Sequence, residues 1–379
     1  MQIEIHVLQS FPPANLNRDE NGMPKSTVFG GYPRARISSQ CQKRAVRLFY
    51  QQYSDLSADQ FAQRSRSWMP ELKAVLVAAD IPDVRAETAA KLALETLGAK
   101  FEGDKVESKT ILFLGRTEIA AIANLLIKNW AAIEPGLMAK DPKLPVKDPN
   151  MAKVIEKVLV NSGKPGDVAL FGRMMASLPT ANVDAAVQMA HAISINKLQQ
   201  EFDFFTAVDD LGGNDTTGAD HMGETGYNSS TYYRFTTMDT VQLQANLGDD
   251  VPAQAIAQAF AEAFVRAIPT GHQNSFAAHS LPAAIMMVVR KGQPISLVDA
   301  FENPVAPKGG KSLLERALSQ LDSHWADLSK MYGEKSVVFK GIVTREQLSQ
   351  QLATLKDCEK PTVDDLIKDA IAAAFQEAN

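Results

Sequence analysis

The chain of 379 residues has a hydrophobic fraction of 45%, a charged fraction of 22% and a formal net charge of −5, which is typical of soluble globular proteins. This length allows one large core or two modest ones, and no apolar run approaches the ~20 residues that span a bilayer. The only two cysteines, Cys41 and Cys358, are far apart. The composition therefore excludes a disulfide framework or a cysteine-rich zinc site and predicts a cytoplasmic protein.

A strand and a helix are the first two predicted elements. Residues 2–8 alternate between apolar and polar side chains, as a strand does. Residues 38–52 follow a helical pattern, with Ser38 or Ser39 placed to cap the helix. The free backbone N–H groups at the start of this helix, with Lys43 and Arg44 nearby, favour binding of an anion.

A basic segment runs from Arg18 to Arg47. It contains seven Lys and Arg residues and two acids, a balance of 7 − 2 = +5 that leaves −10 for the rest of the chain. A glycine pair at Gly30 and Gly31, adjacent hydroxyls and an amide accompany the charge. This combination favours binding of a phosphate chain along a localised track, and the alternative is a solvated basic surface.

The pattern of residues 56–163 predicts a helical segment that is inserted into a domain of another kind. Alanine and leucine recur at helical spacing, and further helices are expected at residues 117–132 and 151–160. Three prolines make residues 140–149 an irregular loop. Its lysines suit sequence-independent contact with a passing nucleic-acid backbone, and the alternative is a solvated loop. These lysines are Lys140, Lys143 and Lys147.

Strands and helices alternate after Gly163. Strands are predicted at residues 168–174, 202–208, 227–235 and 285–289. Helices are predicted at residues 182–194, 252–267, 312–321 and 363–375. Strands and helices interrupted by insertions predict an α+β sandwich rather than a doubly wound sheet.

Residues 198–233 contain seven acids and no Lys or Arg, so this segment cannot bind phosphate through charge. Its aromatic side chains are able to stack on bases or wedge between them. Phe202 and Phe235 are expected in the core. Phe204 and Phe205 are adjacent and point to opposite faces of a strand, so at least one of them should lie outside the core.

No motif in the chain requires an enzyme. Walker-type, GxSxG and HExxH patterns are absent. His191 lies in an apolar run, which predicts a hydrogen-bonded core histidine. Asp209 and Asp210, with Asp203 and Asp215 nearby, form the one cluster able to hold a divalent cation, and a solvated turn is the alternative. The residues therefore do not require an enzyme, and no cofactor or resident metal is predicted.

Several short motifs occur in an order that resembles the backbone subunit of the type I-E CRISPR Cascade complex, the CasC or Cse-four branch of the Cas-seven family. These motifs lie at residues 16–19, 29–31, 36–40, 43–45, 205–211 and 242–248. The resemblance runs from the first strand to about residue 330, and the helical insertion is its least similar part.

The resemblance implies a hand-shaped subunit. An RRM-like palm with C-terminal helices would comprise residues 1–55 and 164–379, with helical fingers at 56–163 and a β-hairpin thumb at 202–234. Copies of the subunit would polymerise along a CRISPR guide RNA, and each thumb would flip out every sixth nucleotide. The implied partners are the guide, target DNA, further copies, the CasA, CasB, CasD and CasE subunits and a recruited helicase-nuclease that cleaves the target.

The resemblance and the residue chemistry together predict the site residues. The predicted RNA-binding residues are Asn17, Arg18, Lys25, Arg34, Arg36, Ser38, Ser39, Gln40, Lys43, Arg44, Arg173, Met174, Phe204 and Phe205. The predicted DNA-binding residues are Lys140, Lys143 and Lys147. Met174 and the Phe204–Phe205 pair are similar in position to family residues that wedge between bases, although relatives often carry Trp-Phe where this chain has Phe-Phe.

Two rival hypotheses remain open. Related backbone proteins of type III complexes cut target RNA with a thumb aspartate, for which Asp209 or Asp210 would be the candidate here. The other rival is an oligomeric scaffold in which the basic segment contacts only protein.

Overall fold

The computed structural model describes residues 1–103, 105–146, 150–206, 222–248 and 251–376. The chain forms two compact units. Unit 1 comprises Met1–Ser54, Gln188–Thr240 and Ala257–Asn379, and unit 2 comprises Asp55–Val187 and Val241–Ile256. Unit 2 contains the predicted fingers segment and extends beyond it. One reason is Asn246, whose side-chain amide donates to the carbonyl oxygens of Ala169 and Asp184 at 2.9 and 2.7 Å.

The strands and helices are as follows. The strands are β1 (Gln2–Ala14), β2 (Ser26–Phe29), β3 (Tyr32–Ile37), β4 (Ala62–Ser65), β5 (Leu112–Gly115), β6 (Val187–Met189), β7 (Ala192–Ser194), β8 (Glu201–Thr206), β9 (Met222–Asp239), β10 (Ala284–Arg290) and β11 (Val337–Thr344). The helices are α1 (Ser39–Tyr53), α2 (Trp68–Val77), α3 (Asp83–Thr96), α4 (Arg116–Lys128), α5 (Trp130–Leu137), α6 (Met151–Asn161), α7 (Gly166–Phe171), α8 (Thr240–Leu247), α9 (Ala253–Arg266), α10 (Gln273–Phe276), α11 (Leu313–Tyr332) and α12 (Val363–Phe375). Within the described ranges, no helix combines the length and apolar character needed to cross a membrane.

A nine-stranded sheet is the frame of unit 1. Its order is β11-β10-β1-β9-β7-β3-β2, and β6 and β8 also pair with β9. The 18-residue strand β9 pairs with β1 up to Asn228 and with β8 from Tyr227 back to Met222, both antiparallel. The β8–β9 hairpin therefore continues past the end of β1.

Both faces of this sheet are covered by helices. All seven residues of β10 are buried, which explains the continuous apolar run that predicts a strand at residues 285–289. Met286 and Val288 share a core cluster with Trp325 of α11. On the opposite face, a side chain at Gly341 of β11 would meet Leu366 of α12 at 2.7 Å. The helix predicted at residues 363–375 is confirmed as α12.

Unit 2 is built mainly from helices around one apolar core. Helices α2 to α6 contribute to this core through buried side chains such as Leu72, Ile122 and Ile155. The strand predicted at residues 168–174 is wrong, because α7 occupies residues 166–171. Its helical signals are Asp167 in the first turn and Gly172 beyond the end, with φ of 76°.

The helix predicted at residues 182–194 is also wrong. The segment contains strands β6 and β7, and β7 pairs Ala192 with Ile37 and Ile193 with Arg36 of β3. A distant strand supplies these ladder partners, so tertiary pairing overrides the helical pattern.

Candidate nucleic-acid interface

The candidate interface is built around the junction of β3 and α1. Ser38 caps α1, since its hydroxyl accepts a hydrogen bond from the Cys41 N–H at 3.2 Å, which confirms the predicted helix start. Asn17 holds the preceding loop at this junction, because its Oδ1 accepts from the Ser38 N–H at 2.8 Å. The Lys25 N–H donates to the Asn17 carbonyl and the Arg36 N–H donates to the Lys25 carbonyl, each at 2.9 Å. The loop that carries Asn17 and Lys25 therefore lies alongside β3.

Five cations of this region form no salt bridge with a carboxylate in the described part of the chain. They are Arg18, Lys25, Arg36, Lys43 and Arg44. Arg18 and Arg44 are exposed, whereas the other three are half-buried. In unit 2, Lys73, Lys105 and Lys143 each lie within 3.1 Å of a carboxylate oxygen, whereas Lys128 and Lys153 have no such partner among the described residues. What distinguishes the junction is that five such cations belong to one short stretch of β3, α1 and the preceding loop. The junction thus carries positive charge that the protein itself does not neutralise.

The positive charges of the junction act on two neighbouring titratable groups, His191 and Cys41. Burial, then the charges of Arg36 and Lys25, lower the pKa of His191. Burial raises the pKa of the Cys41 thiol, and Arg44 and Lys25 oppose that increase. The charge of Lys25 therefore influences both groups.

A cleft of about 500 Å³ lies beside the junction. Arg18 and Arg44 both line it, together with the loop at residues 269–271. Arg18 Nη1 donates to His272 Nε2 at 2.8 Å, because a guanidinium nitrogen can only donate. Burial and the charge of Arg18 lower the pKa of His272. A polyanion in this cleft would contact two of the five unpaired cations.

Arg34 does not belong to this surface, and its prediction as a phosphate-binding residue is wrong. Its side chain is 0% exposed, and burial lowers its pKa. Its guanidinium donates to four backbone carbonyls at 2.8–3.1 Å, those of Ser194, Ile195, Phe301 and Glu302. A buried cation held in this way stabilises the fold and is not available to a ligand.

The glycine pair forms the two-residue turn of the β2–β3 hairpin. Gly30 and Gly31 both have positive φ, 59° and 78°, as a type I′ turn requires. A side chain at Gly30 would overlap the Glu302 carbonyl, which also accepts from Arg34. The pair therefore seats the hairpin against the segment that encloses Arg34.

His191 is exposed, so its prediction as a core histidine is wrong. Its Nδ1 accepts a hydrogen bond from the Ser39 N–H at 3.0 Å. No local pattern indicates this contact, since the two residues lie 152 positions apart. Gln42 and Arg234, two buried residues behind the junction, were likewise not predicted.

The β8 strand presents aromatic side chains to solvent. Phe202, Phe204 and Phe205 are 54%, 64% and 52% exposed, so the core prediction for Phe202 is wrong. Phe235 is half-buried and packs against a core cluster. Phe205 pairs with Gly223 across the hairpin, and its ring covers the space that a side chain there would fill.

The predicted acidic cluster falls largely outside the described residues. Asp209, Asp210 and Asp215 are not described, and Asp203 lies in β8 opposite Thr225. Among the residues that are described, no group of three or more His, Cys, Asp or Glu side chains is placed to hold a metal ion.

Unit 2 contains Arg173 and Met174, which have opposite environments. Met174 is 84% exposed, whereas Arg173 is buried. Arg173 Nη1 donates to both carboxylate oxygens of Glu118 at 2.9 Å, so the prediction of Arg173 as an RNA-binding residue is wrong.

The backbone is fixed on both sides of Met174. Arg173 and Val183 exchange two backbone hydrogen bonds at 2.9 and 2.8 Å, and the Met175 N–H donates to Asn182 Oδ1 at 2.6 Å. An exposed apolar side chain thus projects from a well-anchored loop.

The lysine loop is irregular as predicted over residues 140–146. Lys140 and Lys143 are exposed, and Lys147 lies outside the described residues. Lys143 pairs with Asp141 at 2.6 Å, with side chains 73% and 78% exposed; such an exposed pair is weak and easily exchanged.

The structure therefore places the predicted residues in two groups. In unit 1 it gathers Asn17, Arg18, Lys25, Arg36, Ser38, Ser39, Gln40, Lys43 and Arg44 around the β3–α1 junction, and Phe204 and Phe205 lie on β8 of the same unit. Lys140, Lys143, Arg173 and Met174 belong to unit 2.

Comparisons with known proteins give a consistent family. A family model described as CT1975-like protein matches residues 3–369. A search of curated proteins gave no match. A solved structure described as "CRISPR RNA-guided surveillance complex, pre-nicking" contains a chain that is 32% identical, covering 99% of this chain and 100% of that one, with a TM-score of 0.84.

A second structure, described as "CRISPR RNA-guided surveillance complex", matches at 27% identity with a TM-score of 0.73, covering 99% of this chain and 100% of that one. These likenesses confirm the predicted fold class, α+β with an RRM-like palm, an inserted helical part and a β-hairpin.

Proposed function

We propose that this chain is the guide-RNA-binding backbone subunit of a CRISPR RNA-guided surveillance complex in antiviral defence. The chain belongs to the CT1975-like protein family. Two similar chains come from structures described as such complexes. The type I-E assignment is the finer part of the proposal, and it rests on the resemblance of the short motifs. In this role the subunit holds the guide and leaves target recognition to base pairing.

The observation that carries the proposal is the set of five unpaired cations at the β3–α1 junction. Phosphodiester oxygens would supply the negative charge that the protein does not. The first turn of α1 adds Ser39 and the exposed Gln40 as hydrogen-bonding partners. None of these side chains needs to distinguish one base from another, and a subunit that must accept any spacer requires this indifference.

The residues proposed to kink the guide are different from the cations proposed to hold its phosphates. Met174 and the Phe204–Phe205 pair are apolar and exposed, and such side chains are suited to wedge between bases or stack on them. The hairpin that carries the phenylalanines also presents Glu201, Asp203 and Glu224, whose charge repels phosphates. We assign this hairpin to kinking the guide at six-nucleotide intervals and not to holding its backbone.

The remaining contacts follow from the same role. Lys140, Lys143 and Lys147 would grip target DNA, with Lys143 exchanging Asp141 for a phosphate. Further copies of the chain, the CasA, CasB, CasD and CasE subunits and a recruited helicase-nuclease would complete the assembly. Co-expression with a CRISPR array and its neighbouring genes tests this directly: a large particle should contain an RNA of discrete length, and a particle free of RNA would contradict the proposal.

The double variant Lys43→Ala with Arg44→Ala should weaken guide binding almost equally for all spacer sequences. We expect a loss of roughly tenfold or more, because a charge-assisted hydrogen bond contributes ~1.5–3 kcal/mol. The slope of log K against log salt should become shallower by about 1.4, since each contact to a single strand contributes about 0.7. Binding of labelled guides at several salt concentrations measures both quantities.

The matched control is Lys105→Ala with Lys109→Ala, which removes two exposed lysines paired with Glu102 in unit 2. This control changes the net charge by the same amount but removes no cation from the junction. The slope of log K against log salt should therefore stay almost unchanged. A loss that depends strongly on spacer sequence would show that the junction does not simply hold phosphates.

Phe204→Ala and Phe205→Ala should each reduce guide affinity by about 1–3 kcal/mol for every base that the ring stacks on. Because both rings are more than half exposed, the free energy of unfolding should change little. Phe202→Ala is the control on the same strand. If all three variants bound the guide as tightly as the unchanged protein, the proposal that this hairpin wedges between bases would be wrong.

The rival functions make different predictions. A metal-dependent RNase would cut target RNA into a ladder at six-nucleotide intervals in the presence of Mg²⁺, whereas we expect the target RNA to stay intact. A protein-only scaffold would assemble independently of salt, whereas guide binding through five cations should weaken steeply as salt increases.

A further inference from the structure

The loop between β6 and β7 places a histidine against the start of α1. His191 directly precedes Ala192, which pairs with Ile37 at the end of β3. This register brings the imidazole ring to the first turn of α1, where Nδ1 accepts from the Ser39 N–H at 3.0 Å. The pairing of β7 with β3 thus positions the backbone of this loop for the contact.

The contact determines which ring nitrogen carries the proton. A backbone N–H can only donate, so Nδ1 is unprotonated and the neutral ring has its proton on Nε2. Burial, then the positive charges of Arg36 on β3 and Lys25 on the preceding loop, lower the pKa of His191, which favours the neutral ring. Among the described residues, no hydrogen bond involves Nε2 of this exposed ring. One donor is therefore free.

Buried groups hold this loop in position. The Ala190 N–H donates to the Phe235 carbonyl at 3.0 Å, and Gln42 Nε2 donates to the Ala190 carbonyl at 3.0 Å. Gln42 Oε1 in turn accepts from Arg234 Nε at 3.2 Å. Arg234 is fully enclosed and also donates to the Phe264 carbonyl at 2.6 Å. A chain of hydrogen bonds from the interior thus fixes the residue before His191, as expected of a preorganised contact.

We infer that His191 is a further guide-binding residue, which donates from Nε2–H to a phosphodiester oxygen of the RNA. A neutral donor that is influenced by the charges of Lys25 and Arg36 is matched by an oxygen that only accepts and carries negative charge. The inference rests on the proposed function and adds to it a contact that carries no charge.

Two substitutions separate the two ring nitrogens. In His191→Asn, Oδ1 takes the place of Nδ1 and still accepts from Ser39, but no atom reaches the place of Nε2. In His191→Gln, the terminal amide nitrogen reaches that place and keeps a donor there. We expect His191→Asn to melt at the same temperature as the unchanged protein and to bind guide RNA more weakly by about tenfold or more, as for one hydrogen bond to a charged oxygen. His191→Gln should recover most of this loss.

Salt dependence distinguishes a neutral donor from a cation. Removing an uncharged contact should leave the slope of log K against log salt unchanged, whereas the control Lys25→Met should make it shallower by about 0.7. Binding of His191→Asn equal to that of the unchanged protein would overturn the inference, and so would a shallower slope. Normal RNA binding with defective assembly would assign Nε2–H to a protein partner and overturn it as well. If the unchanged protein binds no guide, the proposed function itself fails.

Discussion

Replacing Arg34 with methionine should lower the free energy of unfolding of unit 1 by about 3–5 kcal/mol. The variant removes a donor from each of four carbonyls in two distant segments, residues 194–195 and 301–302. Of these, the Ile195 carbonyl keeps the Val305 N–H as a second donor at 2.8 Å. Each buried carbonyl left without a donor costs ~1–3 kcal/mol, and partial relaxation brings the sum below the simple total. Methionine fills much of the volume, so the lost hydrogen bonds dominate the effect.

Hydrogen exchange of the β3 and β7 amides measures this change in unit 1 alone, which matters because a chain of two units need not unfold in one step. Arg36→Met is the matched control on the same strand, and it should change the stability by less than about 1 kcal/mol. In RNA binding we expect the reverse: Arg36→Met should make the salt dependence shallower, whereas Arg34→Met should leave it unchanged. A stable Arg34→Met protein with weakened guide binding would restore Arg34 to the phosphate-binding set.

Arg34 and Arg36 also show what the sequence can predict of this site. The two arginines share a face of β3 by alternation, and nothing local distinguishes them. Arg34 is enclosed because carbonyls more than 150 residues away converge on it, and a one-dimensional pattern does not contain that information. The charge excess of the segment was predictable, whereas the role of each charge depends on tertiary partners.

Signals within one element were the reliable ones. The Ser38 cap and the bounds of α12 follow from local hydrogen bonding and a long amphipathic pattern. Short apolar runs misled the prediction at α7, because six residues fit a strand or a helix equally well. His191 was misplaced for a related reason: its apolar neighbours pair with β3 and leave the ring itself at the surface.

The two kinds of contact proposed here require different parts of the fold. Phosphate contacts need charge that stays unpaired, and the β3–α1 junction supplies it on elements of the palm sheet. Base wedging needs exposed apolar side chains that cannot collapse into the core, and these lie on a hairpin and on an anchored loop. The proposed subunit would need both kinds of contact, because it would hold the guide backbone along its length and perturb the bases only at intervals.

Replacing Arg173 with methionine should destabilise unit 2 by about 3–5 kcal/mol, because the substitution leaves the Glu118 carboxylate, 1% exposed, without its cation. The double variant Arg173→Met with Glu118→Met removes both charges and should cost less than the single one. Met174→Ala removes a side chain that is 84% exposed, so its stability should stay within about 0.5 kcal/mol of the unchanged protein. Hydrogen exchange of the unit 2 amides compares the stability of the three variants.

Guide binding of the same variants is measured in parallel. If Arg173 anchors the Met174 loop, Arg173→Met should lose stability and guide affinity together, whereas Met174→Ala should lose affinity alone. A fully stable Arg173→Met protein would show that the ion pair does not hold the loop in place.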